Sequence, residues 1–133
     1  MAKTYQKIYC MFDKVRIKAL LDRIEQSILL IQSKSEQIAC PDDFLLSQEG
    51  MFTLSGICMQ LIFIGESVKT IDMKTDQVYL RQYPQIPWKS IMGLRDIIAH
   101  EYHRIDEEEI FNVVKNDLNH LLEVIQRMKF DIT

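Results

Sequence analysis

An all-α bundle is the fold class this sequence predicts, and three observations carry it. Apolar residues recur at helical spacing along most of the chain, with no strand-like alternation of apolar and polar residues. Only four glycines and three prolines punctuate 133 residues, which leaves little room for linkers or disorder. Near the C-terminus, Ile105-Asp106-Glu107-Glu108-Glu109-Ile110 has the form of a helix start: Asp106 with Glu109 matches a capping box, and Ile105 with Ile110 a hydrophobic staple. The length fits one domain, 1–133, able to bury a real core.

The first element is a long amphipathic helix from about Phe12 to Gln37, where Val15, Ile17, Leu20, Leu21, Ile24, Ile28 and Ile31 alternate with charged and polar residues at helical intervals. Cys40-Pro41-Asp42-Asp43 interrupts it, because proline disfavours helix in the residue before it and the two aspartates suit a new first turn. A central helix is expected from about Asp43 to Ile71, apolar on more than one face. Gly50, Gly56 and Gly65 each cost it up to about 1 kcal/mol relative to alanine, so all three are expected at close backbone approaches, within the chain or across a dimer. Glu66 follows the apolar run and either points into the polar end of the core or lies solvated on the helix surface.

Lys69 to Ile86 reads as the longest irregular segment, one that wraps the core with Tyr79, Leu80 and Tyr83. The third helix starts at Pro87-Trp88, with proline in the first turn and tryptophan as an anchor, and continues through Ile91, Leu94 and Arg95 to Ala99, ending near His100. From Asp106 the last helix presents Ile110, Val113, Val114, Leu118, Leu121, Leu122, Ile125 and Met128 on one face, out to about Lys129. The expected architecture is an antiparallel bundle of two long N-terminal helices, a shorter third helix and a C-terminal one.

Composition narrows the function classes. A formal net charge of −3 argues against coating nucleic acid by bulk electrostatics, although a local basic cleft stays open. Cys10, Cys40 and Cys58 are odd in number and far apart, so neither a disulfide framework nor a zinc site is implied, and buried reduced thiols are expected. The seven methionines are scattered, several within apolar stretches, and are expected to fill gaps in the core. No secretory signal is read at the N-terminus, and the uncharged run Met51 to Ile64 falls short of a membrane span, so a cytoplasmic protein with no membrane partner is expected.

The chemistry concentrates in Leu94-Arg95-Asp96-Ile97-Ile98-Ala99-His100-Glu101-Tyr102. Arginine is a permanently charged fork for phosphate, and histidine exchanges protons near neutrality, so Arg95 and His100 point to phosphate-ester chemistry. Asp96 and His100 are four apart on one helical face, so the carboxylate can orient the ring. If the helix ends near His100, Tyr102 can turn back beside it before Asp106. Metal-free RNA cleavage needs a base for the 2′-hydroxyl, charge for the phosphorane and an acid for the leaving 5′-oxygen. Arg95 and His100 supply two of these, and a two-fold dimer would add a second imidazole and a second cation. Against this stand plainer readings, with Asp96 and His100 as a surface pair, Tyr102 as a core-edge aromatic, and His103 and His120 as solvated bystanders.

The run Tyr83-Pro84-Gln85-Ile86-Pro87-Trp88-Lys89-Ser90-Ile91-Met92-Gly93-Leu94-Arg95-Asp96-Ile97-Ile98-Ala99-His100-Glu101-Tyr102 resembles the signature of the HepT-like branch of the HEPN superfamily, and Ile62-Phe63-Ile64-Gly65-Glu66-Ser67 resembles that family's Ile-Gly-Glu segment. Arg95, His100 and Tyr102 match its Arg-x4-His-x-Tyr pattern in full, and the resemblance covers nearly the whole chain. It implies an all-α HEPN-type homodimer acting as a metal-independent endoribonuclease toxin, with no cofactor. Arg95 and His100 would be catalytic at the dimer cleft, with Asp96 and Glu66 in support. It further implies an MNT-type nucleotidyltransferase antitoxin that adenylylates Tyr102, in a homodimer or a larger hetero-oligomer, and RNA as substrate. The competing class is a non-catalytic module that binds nucleotides or serves as acceptor and partner of a minimal nucleotidyltransferase.

Overall fold

The computed structural model describes residues 11–100 and 106–133, and they are helical with no strand among them. Helix α1 (Met11–Lys34) buries the stripe Ile17, Leu20, Leu21, Ile24, Ile28 and Ile31. Val15, expected with that stripe, lies exposed. After α1 the chain makes a short 3-10 turn, Pro41–Phe44, in place of the expected start of the central helix. Asp43 serves this turn: its Oδ2 accepts from Ala39 N at 2.8 Å and from Cys40 N at 3.3 Å, and the first of these does most to hold its carboxyl below the usual range.

Helix α2 (Gln48–Lys74) begins later than expected because Ser47 caps it, its Oγ accepting from Gly50 N at 2.9 Å. Its inner face, including Ile57, Cys58, Leu61, Ile64, Val68 and Ile71, packs against α1. Two of the three glycine expectations hold. A Cβ on Gly50 would collide with the Asp43 carbonyl, and one on Gly65 would lie 2.7 Å from the Ile91 carbonyl oxygen. Gly56 is the exception, since nothing lies within 4 Å of a Cβ built there. By length and hydropathy α2 is, among the described residues, the one helix that would suit a membrane span, but its inward apolar residues are accounted for by the bundle.

The helix also runs further than expected, to Lys74, so Lys69–Lys74 is not irregular. It closes where Asp76 and Gln77 adopt positive φ and Gln77 N donates to Asp72 O at 2.8 Å, the six-residue closure that commonly ends helices. A 3-10 turn, Tyr79–Gln82, then carries Tyr79 and Leu80 into the core, followed by Tyr83 and Ile86. The segment wraps as expected. Tyr83 donates to Asp131 Oδ2 at 2.8 Å, and burial and then that carboxylate push its phenol up to about 12.

The expected third helix is two. Helix α3 (Trp88–Met92) starts after Pro87, which occupies the cap and not the first turn, and α4 (Leu94–His100) follows directly after Gly93. Trp88 is the anchor expected, buried with its Nε1 donating to Tyr83 O at 2.8 Å. Asp106 caps the last segment as expected, its Oδ1 accepting from Glu108 N at 2.9 Å and Glu109 N at 3.4 Å. The proposed staple involves Ile105, outside the described residues. Helix α5 (Glu107–Asn112) passes through a π turn, Val113–Asp117, into α6 (Leu118–Ile132). Ile110, Val114, Leu118, Leu121, Val124, Ile125, Met128 and Ile132 are buried. Lys129 ties α6 to α1, its Nζ lying 2.6 Å from Asp22 Oδ1 and 2.7 Å from Glu25 Oε1.

In this bundle α1 packs against both α2 and α6, while α3 and α4 pack on α2. Cys58 is buried, and burial raises its thiol to about 11, but Cys40 is exposed, contrary to expectation. Met128 fills the core, whereas Met51, Met59 and Met73 are exposed.

Candidate active site

Arg95 lies in the first turn of α4, and the seat of that helix on α2 decides what it meets. Gly65 lets the two segments close: with no side chain there, the Ile91 carbonyl of α3 comes up to the α2 backbone, and Leu94 Cβ lies 3.8 Å from where a Gly65 Cβ would be. Any larger residue at 65 would hold α3 off. The next residue on α2 is Glu66, and its Oε1 stands 3.3 Å from Arg95 Nη1. The side chains are 58% exposed for Arg95 and 44% for Glu66, so the pair is accessible from solvent. Glu66 is therefore neither a core residue nor simply solvated.

The pair is 29 positions apart in sequence and joined only by the fold. An exposed ion pair contributes about 0–1 kcal/mol to stability, so the contact holds the guanidinium only weakly in place. Arginine has five donors in a fixed fork, and a contact at Nη1 leaves others for a phosphate. Asp96 is exposed on α4, one residue beyond Arg95. The backbone of α4 reaches His100, four residues after Asp96, as the expected orienting pair requires. The His100 side chain, Glu101, Tyr102 and His103 lie outside what is described, so the expected meeting of imidazole and phenol does too. His120 is exposed on α6, as a bystander would be.

The surroundings combine apolar and cationic surface. Ile97 on α4 and Phe63 on α2, three residues before Glu66, are exposed, and the Arg23 guanidinium of α1 stands 5.8 Å from the Phe63 ring centre. Met59 and Phe52 continue the outward stripe along α2, past the open notch at Gly56. A separate groove of about 670 Å³ is lined in part by Arg81, Trp88 and Lys89. No group of three or more histidine, cysteine, aspartate or glutamate side chains able to hold a metal ion occurs among the described residues.

Residues 24–128 match the family model described as Ribonuclease HepT-like, which spans most of the chain. The chain belongs to that family. Curated relatives of this HepT-like chain include "Probable ribonuclease HepT" of Thermococcus cleftensis, 29% identical over 84% of this chain and 94% of that one. They also include "Gamma-glutamylcyclotransferase and putative RNase MJ0434" of Methanocaldococcus jannaschii, 30% identical over 84% of this chain. The aligned part is 47% of that protein, so the HepT-like chain spans about half its length. A third, "Putative RNase MJ0127" of the same organism, is 33% identical over 64% of this chain and 68% of the relative. No solved structure matches. Family membership and these relatives support an endoribonuclease activity.

Sequence reasoning singled out Arg95, His100 and Glu66 as candidates but did not foresee the contact between Arg95 and Glu66, nor the exposure of Ile97 and Phe63. One signal was present: a glycine directly before a carboxylate on an otherwise apolar helix marks a place where another backbone can come close enough to meet that carboxylate.

Proposed function

We propose that this chain is the toxin of a toxin–antitoxin pair, a metal-independent endoribonuclease that cleaves RNA at a composite cleft between two copies. The observation that carries the reading is an exposed arginine in the first turn of the helix that leads to His100, within a ribonuclease HepT-like chain. Arg95 binds the scissile phosphate and stabilises the phosphorane, and His100, oriented by Asp96, transfers a proton. The exposed Ile97, two residues after Arg95, and the exposed Phe63, three residues before Glu66, support a second copy packing on this side, which would add its own cations to the cleft of a chain with net charge −3.

Control acts through Tyr102. An MNT-type nucleotidyltransferase antitoxin transfers adenylate to its hydroxyl, setting bulk and negative charge two residues from His100, where RNA must enter. The purified protein is expected to cut RNA in EDTA, with His100→Ala abolishing cleavage. When it is produced with its partner, the intact mass should rise by one adenylate, and Tyr102→Phe should prevent this. Cleavage by the His100→Ala variant equal to the parent overturns the ribonuclease assignment. Partner binding with no cleavage by the unmodified protein instead identifies a non-catalytic acceptor module.

A further inference from the structure

Counting imidazoles alone leaves each copy one proton-transfer group short, but the fold brings a carboxylate into the site. We propose that Glu66 is the proton acceptor of the cleavage reaction, so that each chain carries its own base, cation and acid. The inference rests on the ribonuclease reading above and assigns a role within it; what the second copy then supplies is cationic cleft wall and not the base.

Two features of the structure point this way. Glu66 Oε1 lies 3.3 Å from Arg95 Nη1, so a phosphate held on another edge of the same guanidinium, at about 2.8 Å from its nitrogens, is a close neighbour of the carboxylate. In RNA the 2′-hydroxyl sits beside the phosphorus it attacks, at about 3–3.5 Å in a near-attack geometry, and so comes within reach of Glu66. The carboxylate is also held on a rigid element: the Ile91 carbonyl oxygen packs so close to Gly65 that a Cβ there would lie 2.7 Å from it, which sets α2 and α3 in one register.

Energetics separate this role from that of a counter-ion. An exposed pair adds at most about 1 kcal/mol to stability, while a carboxylate beside the phosphate position repels every incoming RNA phosphate. If Glu66 only neutralised Arg95, removing its charge would improve substrate binding and leave turnover intact. A general base instead contributes about 10²–10⁴-fold to the rate.

The Glu66 carboxylate takes the proton of the 2′-hydroxyl as O2′ bonds to phosphorus, and Arg95 holds the negative phosphorane oxygens. The bond from phosphorus to O5′ breaks, and the His100 imidazolium protonates the leaving oxygen. The products are a 2′,3′-cyclic phosphate and a 5′-hydroxyl. The proton gained by Glu66 then returns to solvent and His100 recovers its own from solvent.

The test compares Glu66→Gln, Glu66→Asp and His100→Ala, in the full chain, on two RNA oligonucleotides. One is ordinary, and the other has its bridging 5′-oxygen replaced by sulfur, a leaving group that needs no proton. For Glu66→Gln, kcat should fall by about 10²–10⁴-fold on both substrates, with KM no higher than the parent's and an unchanged melting temperature. Glu66→Asp should retain part of the rate. His100→Ala should be inactive on the ordinary oligonucleotide and regain most of its rate on the sulfur one. A lower KM with unchanged kcat for Glu66→Gln makes Glu66 a counter-ion and overturns the proposal, as does recovery of Glu66→Gln on the sulfur substrate. Full activity of His100→Ala on ordinary RNA is a different failure, that of the ribonuclease reading.

Discussion

Replacing Gly65 by alanine probes the contact on which the site depends. The added Cβ would lie 2.7 Å from the Ile91 carbonyl oxygen, and ordinary contact begins at 3.4 Å, so α2 and α3 must part by about 0.7 Å. The obstacle is backbone and has no rotamer with which to yield. Overpacking of this kind costs about 1–3 kcal/mol, and alanine's better helix propensity returns about 1 kcal/mol, for a net loss between about 0 and 2 kcal/mol. Gly56→Ala is the internal control on the same helix. It meets nothing within 4 Å and should gain about 0.5–1 kcal/mol from propensity and a less flexible unfolded chain. Urea unfolding of both variants, with m unchanged, should therefore place Gly65→Ala below Gly56→Ala by about 1–3 kcal/mol. RNA cleavage by Gly65→Ala should fall as well, because a misplacement of about 1 Å in a catalytic constellation costs up to about 10²-fold. Stability of Gly65→Ala equal to or above that of Gly56→Ala would refute the close approach and, with it, the account of how Glu66 reaches Arg95.

Trp88→Phe should cost about 1–3 kcal/mol in a chemical melt, because the buried Tyr83 carbonyl loses the indole donor at 2.8 Å. Ser47→Ala removes the acceptor for Gly50 N and should lower stability by about 1 kcal/mol, with helix content by circular dichroism nearly unchanged. Lys129→Met tests the link between α6 and α1 by its pH dependence. Asp22 first and Glu25 second hold the folded ammonium above the ordinary lysine value of 10.5. A raised folded value adds stability that is fully present below 10.5 and is lost as pH rises from there through the folded value. The gap between parent and variant should thus be constant from neutral to about pH 10 and close above that; a gap that widens there would contradict the pairing.

The helical class, the capped start at Asp106, the anchoring Trp88 and the apolar faces of α1 and α6 were legible because each depends on residues within one or two turns of each other. The breaks within elements were less so. Ser47, between Leu46 and Gln48, reads like any polar position inside a helix, and the interruption at Gly93 and the π turn at Val113–Asp117 leave the apolar spacing nearly intact. Periodicity over a window does not register a shift of one residue. The mistaken expectation at Gly56 has the same origin, since a glycine with a near neighbour and one facing open space read alike in sequence.

The chemical inventory of the site, Arg95 with Asp96 and His100 in one short run and Glu66 on the central helix, is a property of the sequence by itself, because residue type and local spacing decide what can bind phosphate and move protons. Which of these meet is decided only by tertiary structure. Arg95 and Glu66 are separated by a turn, a wrapping segment and a helix break, and no local rule spans that distance. They come within 3.3 Å because a missing side chain at Gly65 lets one helix settle against another.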